Sequence, residues 1–243
     1  MTRRRRILIV LGAALAVVAV AGYVLARRTP SWWNPPHATD QRAARTAETF
    51  EQRLAEEVSR VRADDAPWAV RIGEEQLNAW FALRLPRWLE HAGAPADALV
   101  QAHLRDGAIE FAVRPTPGAP IGVVAVRPRL GDGALAATID HVGIGAIGLP
   151  GRSADVVAAV IDSLAALPDD DEMSRAALSI LRGDPVSARF TLGDGRRVEL
   201  TDLELEPGAI VAQLRTIPAS RFPAKSVPPK APPTKRSRAT PVP

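Results

Sequence analysis

The sequence contains no cysteine, and this absence excludes several kinds of chemistry at once. Without a thiol there is no disulfide, no cysteine nucleophile and no zinc or iron–sulfur site with cysteine ligands. Lysine is nearly absent too, because all three lysines, Lys225, Lys230 and Lys235, lie near the C-terminus. The body of the chain therefore has no lysine for a Schiff base or for a phosphate-binding P-loop.

Acidic residues are missing from both ends of the chain. Residues 1–28 contain six arginines and residues 216–243 contain six lysines and arginines, and neither range contains an acid. Removing these twelve from the 31 basic residues leaves 19 basic against 27 acidic residues in 29–215. The pI of about 10.2 therefore reports two basic ends around an acidic body. This pattern argues against a nucleic-acid-binding domain.

One long run, Ile7–Ala26, carries no charge over twenty residues. A helix of that length, rising about 1.5 Å per residue, spans the roughly 30 Å hydrocarbon core of a bilayer. Four arginines precede the run and two follow it, which predicts a cytoplasmic N-terminus and an extracytoplasmic body. Trp32 and Trp33 come just after the run, where indole rings favour the headgroup layer. The lipid bilayer is thus the first predicted partner.

A cleaved signal peptide is the alternative for the same run, because Val24-Leu25-Ala26 resembles a small-x-Ala cleavage site. The run is longer than the 7–15 apolar residues of a typical signal core, which favours an uncleaved signal-anchor. We therefore expect a single-pass protein of the inner (cytoplasmic) membrane, facing the cell envelope.

Composition divides the chain into four parts: a cytoplasmic stub with the transmembrane anchor (1–28), a proline-rich linker (29–39), an extracytoplasmic domain (40–215) and a tail (216–243). The tail has eight prolines and six cations in 28 residues, which predicts disorder. Within the domain, apolar spacing predicts amphipathic helices from residue 40, from residue 74 and from residue 153. Strict alternation begins near residue 98.

These patterns predict an α+β fold in which an antiparallel meander of about six or seven strands packs against amphipathic helices. Asp106-Gly107 and Gly131-Asp132-Gly133 predict tight hairpin turns. Pro128 lies inside the predicted strand 121–130 and restricts that strand to a sheet edge or a bulge.

The familiar catalytic motifs of hydrolases, nucleotide-binding loops and zinc peptidases are absent, so we expect no enzyme activity, no catalytic residue and no cofactor. Gly143, Gly145 and Gly148 match the spacing of a dinucleotide-binding loop, but Leu149-Pro150-Gly151 stands where a helix would have to begin. We interpret this segment as a glycine-rich strand or a place of close backbone packing.

Two histidines and two carboxylates form the only metal-site hypothesis that we consider. His103 and His141, with Glu110 and Asp140, would come together if the first and fourth strands of the meander were neighbours. Solvent-facing strand histidines are the simpler interpretation, and we favour it, so no metal is predicted.

A nine-residue segment, Ile72-Gly73-Glu74-Glu75-Gln76-Leu77-Asn78-Ala79-Trp80, precedes the hairpins, and Gly145-Ala146-Ile147-Gly148-Leu149-Pro150 follows them. With these motifs the chain resembles the YpmS family of single-pass, membrane-anchored bacterial proteins over residues 68–150. Gly73 stands where that family usually has a capping Ser or Thr. The resemblance implies a curved antiparallel sheet wrapped on a helix, similar in outline to tubular lipid-binding folds, and no enzyme activity.

Two functions remain open for the domain, and its oligomeric state is not predicted. The first is an envelope module that binds an apolar ligand such as a lipid; its expected lining residues are Leu77, Trp80, Phe81, Phe111, Val113 and Ile139. The second is a non-enzymatic structural or assembly partner that contacts anionic surfaces or an envelope protein through the tail. The tail cations are Arg221, Lys225, Lys230, Lys235, Arg236 and Arg238.

Overall fold

A computed structural model describes residues 19–37, 39–60, 62, 65–91, 97–148, 179–180 and 182–217. Residues 19–26 are helical and are followed by two helices, α1 (Gln41–Ser59) and α2 (Glu74–His91). Ten strands complete the described fold: β1 (Pro67–Gly73), β2 (Leu99–Arg105), β3 (Ala108–Arg114), β4 (Gly122–Gly131), β5 (Ala134–Ile144), β6 (Ile147–Gly148), β7 (Val186–Ser187), β8 (Arg189–Thr191), β9 (Arg197–Glu206) and β10 (Ala209–Ile217).

The described part of the chain is an α+β fold with two antiparallel sheets. The larger sheet has the order β2-β3-β4-β5-β6, and β7 also pairs with β5. The smaller sheet has the order β1-β10-β9-β8. The predicted fold class and the antiparallel meander are confirmed, but the single sheet of six or seven strands is corrected to two sheets of six and four. The reason is that β1 pairs with β10 at the far end of the chain.

Among the described residues, no helix is both long and apolar enough to cross a membrane.

Three predicted segments lie largely or wholly outside the described residues: most of the Ile7–Ala26 run, the helix predicted from residue 153, and the C-terminal tail.

The predicted hairpin turns are confirmed. Gly107 has a φ of 67°, and Asp132 and Gly133 have φ values of 51° and 70°, as a tight turn between two strands requires. Pro128 pairs with Ala137 on β5, but it lies beyond the last residue of β4 that pairs with β3. A bulge between Ala125 and Val126 precedes it. The missing N–H of proline therefore falls at a local sheet edge, as predicted.

The helices α1 and α2 lie side by side and run in the same direction. Arg42 donates to Glu75 at 3.0 Å near their N-termini, and Arg84 donates to Glu51 half-way along, with its Nε at 2.5 Å. The hydrogen bond from Arg84 lowers the pKa of Glu51. Between these ion pairs the buried part of the contact consists of small side chains, which let the two helix backbones approach closely, and the half-buried Leu83 packs against them. These side chains are Ala43, Ala47 and Ala79.

The C-terminus of α1 is attached to the smaller sheet. Val58 packs on the buried cluster of Trp68, Val198 and Leu214. Arg196, which follows the turn between β8 and β9, donates to the Val58 carbonyl at 2.7 Å and to the Arg60 carbonyl at 2.9 Å. A cation at this position satisfies the last carbonyls of the helix and complements its dipole.

A buried carboxylate connects three strands of the smaller sheet. Glu199 on β9 is only 8% exposed, and it faces Arg189 on β8 and Arg215 on β10 in the strand register. Arg215 donates to it at 2.6 Å and Arg189 at 2.8 Å. These two hydrogen bonds, that from Arg215 first, lower the pKa of Glu199. The carboxylate is therefore more stable in its charged form in the folded chain than in the unfolded chain.

Glu199→Gln should lower the free energy of unfolding at pH 7 by about 1–3 kcal/mol, because it removes the charge that pairs with two arginines. A pKa that folding lowers gives stability that is complete above the unfolded pKa, about 4.3, and is lost as the pH falls below it. Urea unfolding from pH 7 to pH 3 should therefore show a smaller acid loss in the variant. Glu204→Gln, an exposed position on the same strand, is the control. An unchanged acid profile in Glu199→Gln would contradict this role.

Candidate functional site

The edge strand β2 is held by an asparagine side chain of α2. Asn78 is 5% exposed. Its Nδ2 donates to the Ala102 carbonyl at 2.8 Å, and its Oδ1 accepts from the Ala102 N–H at 2.7 Å. The amide thus occupies the place of a peptide group on a neighbouring strand, so the free edge of the larger sheet is closed there.

Leu104 is the next residue of β2 whose backbone N–H and carbonyl point away from β3. It connects α2 to the smaller sheet. Its N–H donates to Glu74 Oε2 at 2.7 Å, and its carbonyl accepts from the Gly208 N–H at 3.0 Å. Gly208 lies in the turn between β9 and β10, and its own carbonyl accepts from the Glu74 N–H at 2.8 Å. Leu104, Glu74 and Gly208 therefore form a closed set of hydrogen bonds between the two sheets. Gln76 accepts from the Gly73 N–H at 2.9 Å and caps the start of α2.

The linker after the predicted membrane segment packs on the larger sheet. Gln101, Ala112 and Val123 lie directly opposite one another on three neighbouring strands and so share one face. Trp32 and Trp33 pack against the cluster that contains Ala112 and Val123. The structure shows that these two tryptophans contact the sheet, and their position in the headgroup layer stays a prediction. Their indole rings cover apolar strand residues that would otherwise face solvent.

Polar contacts also hold the linker against β2. Gln101 donates to the Trp32 carbonyl at 3.0 Å and accepts from the Asn34 N–H at 2.7 Å. The Trp32 ring stacks on His103 with ring centroids 5.0 Å apart. His103 Nδ1 in turn lies 3.2 Å from Glu74 Oε2. We name residues Gln101–Leu104 the β2 junction, because the linker, α2 and the smaller sheet all meet there.

The end of helix 19–26 contacts the glycine-rich turn between β5 and β6. Ala146 donates to the Leu25 carbonyl at 2.9 Å. Gly145 has a φ of 59°, and a Cβ at this position would lie 2.3 Å from the Ala26 oxygen. Gly143 is similarly tight, since its Cβ would lie 2.9 Å from the Ile147 oxygen. The interpretation of this segment as a place of close backbone packing is confirmed, and its chain forms a hairpin instead of a strand–helix nucleotide loop.

The predicted lining residues are only partly brought together. Trp80 and Phe81 of α2 have ring centroids 5.8 Å apart, and Phe81 lies 6.4 Å from Phe111 on β3. All three rings are half-buried. We name Trp80, Phe81 and Phe111 the aromatic cluster. The other predicted residues are outside this cluster: Leu77 is half-buried on α2, Val113 is exposed on β3, and Ile139 is half-buried two strands away on β5.

The two strand histidines are not brought together. His103 on β2 and His141 on β5 are separated by β3 and β4. Arg105 pairs with Glu110 at 2.5 Å, and Arg127 pairs with Asp140 at 2.6 Å and lowers the pKa of that carboxyl. The described residues contain no group of three or more side chains that could hold a metal ion. All six tail cations lie outside the described residues.

A groove that sequence reasoning missed lies between α1 and β1. It has a volume of about 340 Å³ and an apolar floor of Phe50, Leu54 and Val70. Charged side chains form its rim: Arg53, Glu56, Glu57, Arg60 and Arg71. The apolar stripe of α1 and the alternation of β1 are both visible in the sequence, but no local signal shows that the helix and the strand leave space between them.

Comparison with protein-family models, with curated proteins and with solved structures finds no match to this chain.

Asn78→Ala should destabilise the domain strongly, because it leaves the N–H and the carbonyl of Ala102 without a partner. A buried polar group that loses its partner costs about 1–3 kcal/mol. Asn34→Ala is the matched control, since the side chain of Asn34 is exposed and only its backbone N–H bonds to Gln101. Urea unfolding in detergent measures both variants. Equal midpoints for Asn78→Ala and Asn34→Ala would contradict the role of Asn78 in closing the sheet edge.

Proposed function

We propose that this chain is a single-pass protein of the inner membrane whose extracytoplasmic domain binds an apolar ligand, most simply the acyl chain of a lipid. One observation carries the proposal: the linker that follows the predicted anchor packs on the larger sheet. Trp32 and Trp33 contact its apolar residues, and Gln101 of β2 donates to the Trp32 carbonyl. A domain joined to its anchor in this way stays at the bilayer surface, where lipid is the most abundant apolar ligand.

The exposed side chains of helix 19–26 support the membrane part of the proposal. Val20, Tyr23 and Val24 are 52–62% exposed, although they are apolar. Lipid contact would remove this surface from water. The Arg27 guanidinium lies 4.8 Å from the centre of the Tyr23 ring, an amphipathic pair suited to the membrane–water boundary.

The aromatic cluster supports the ligand part of the proposal. Its three rings are half-buried between α2 and the larger sheet, and Val113 extends the same face of β3 beyond Phe111 as an exposed apolar side chain. The resemblance to the YpmS family and to tubular lipid-binding folds points to the same class of ligand. The groove between α1 and β1 is less suited to an acyl chain, because charged side chains surround its floor.

A photoreactive lipid tests the proposal on the full chain in nanodiscs. A phospholipid with a diazirine near the end of its acyl chain should crosslink to peptides that contain Trp80, Phe81 and Phe111, and excess unlabelled lipid should compete. Phe81→Ala should reduce crosslinking at the Phe111 peptide, because it removes the ring between the other two. Phe190→Ala, which changes an exposed ring on the smaller sheet, should leave it unchanged.

The outcome also separates the two functions that the sequence left open. Crosslinks confined to residues 1–28 would contradict a lipid site in the domain. If removal of residues 218–243 abolished binding to anionic vesicles while no domain crosslink formed, the role of an envelope partner that uses its basic tail would replace the present proposal.

A further inference from the structure

We infer that the turn between β5 and β6, residues Ile144–Ile147, contacts the lipid bilayer and lies in its interfacial layer beside the anchor. We name these four residues the membrane turn. The inference rests on the proposed membrane anchor, and it adds a second contact between the protein and the bilayer.

The position of the turn follows from its hydrogen bond to the anchor. The uncharged run ends at Ala26, so the carbonyl of Leu25 belongs to the last turn of the proposed membrane span. A carbonyl there lies near the edge of the hydrocarbon core. The Ala146 N–H donates to this carbonyl at 2.9 Å. The membrane turn is therefore within one hydrogen bond of the boundary between hydrocarbon and headgroups.

The contact is between two backbones, which fixes the turn closely. Gly145 lies so near to Leu25 and Ala26 that a Cβ would meet their carbonyl oxygens at 2.6 Å and 2.3 Å. On its other side, the Gly145 N–H donates to the Ile121 carbonyl at 2.8 Å. The turn is thus held between the anchor and the larger sheet, with no side chain between them that could rearrange to separate them.

The chemistry of the turn suits an interfacial position. Its four residues, Ile-Gly-Ala-Ile, carry no charge. Ile144 is 39% exposed, and it is one of three exposed large apolar side chains in the described part of the domain, with Val113 and Phe190. Apolar side chains that insert into the headgroup–acyl boundary are a usual means of membrane contact. Arg27 and Arg28 follow the span directly and can meet lipid phosphates at the same level.

The absence of native cysteine makes a site-specific test direct. Single cysteines are introduced as Ile144→Cys, Phe190→Cys or Val20→Cys, and each is labelled with the environment-sensitive fluorophore nitrobenzoxadiazole. The full chain is placed in nanodiscs of phosphatidylcholine and phosphatidylglycerol that carry a doxyl quencher on the lipid. Labels at Ile144 and Val20 should be blue-shifted and quenched, whereas the label at Phe190 should behave as it does in water.

Two glycine variants test the connection to the anchor. Gly145→Ala should reduce quenching at position 144, because its Cβ cannot fit beside Ala26. Gly133→Ala is the matched control: its φ of 70° imposes a similar backbone strain, but nothing lies within 4 Å of its Cβ. It should leave the quenching unchanged.

The three labels distinguish failure of the inference from failure of the proposed anchor. A quenched label at Val20 with a water-like label at Ile144 would overturn the membrane turn and leave the anchor in place. A water-like label at Val20 would overturn both.

Discussion

The structure depends on how the outer edge of β2 is closed. An edge strand presents unpaired N–H and carbonyl groups, and leaving them buried without partners is costly. At the β2 junction, side chains of α2 supply the missing hydrogen-bond partners. Asn78 bonds to the N–H and the carbonyl of Ala102, and Glu74 accepts from the Leu104 N–H. Gly208 satisfies the remaining carbonyl of Leu104. The same few hydrogen bonds thus close the larger sheet, position α2 and attach the smaller sheet.

The linker contacts two side chains of the β2 junction, so the linker and α2 are both attached to β2. Gln101 and His103 contact Trp32 on one face of β2, while Ala102 and Leu104 bond to α2 at its edge. The linker also packs on Ala112 of β3 and Val123 of β4, so it is attached to three neighbouring strands of the larger sheet. This arrangement favours a domain that acts at the bilayer surface over one that is joined to its anchor by a flexible linker.

Local signals in the sequence were sufficient for elements whose conformation is set by their own residues. The turns at Gly107 and at Asp132-Gly133 and the local edge at Pro128 were all predictable, because glycine and proline restrict or permit particular backbone angles. The division into two sheets was not, since it depends on β1 meeting β10 about 140 residues later. Asn78 lies in the segment 72–80 that carries the family resemblance, yet its role appears only when an edge strand lies opposite it. The packing of Trp32 on the sheet was not predictable for the same reason, since a tryptophan after an apolar run suits a headgroup layer and a sheet face equally well.

Amide hydrogen exchange at the β2 junction tests the central claim most directly. The N–H groups of Ala102 and Leu104 point away from β3 and have only side chains of α2 as partners. If these side chains close the sheet edge, both amides should exchange as slowly as the Ala112 amide in the neighbouring, fully paired strand. Exchange of Ala102 and Leu104 at the rate of an open edge strand, with Ala112 still protected, would contradict the account.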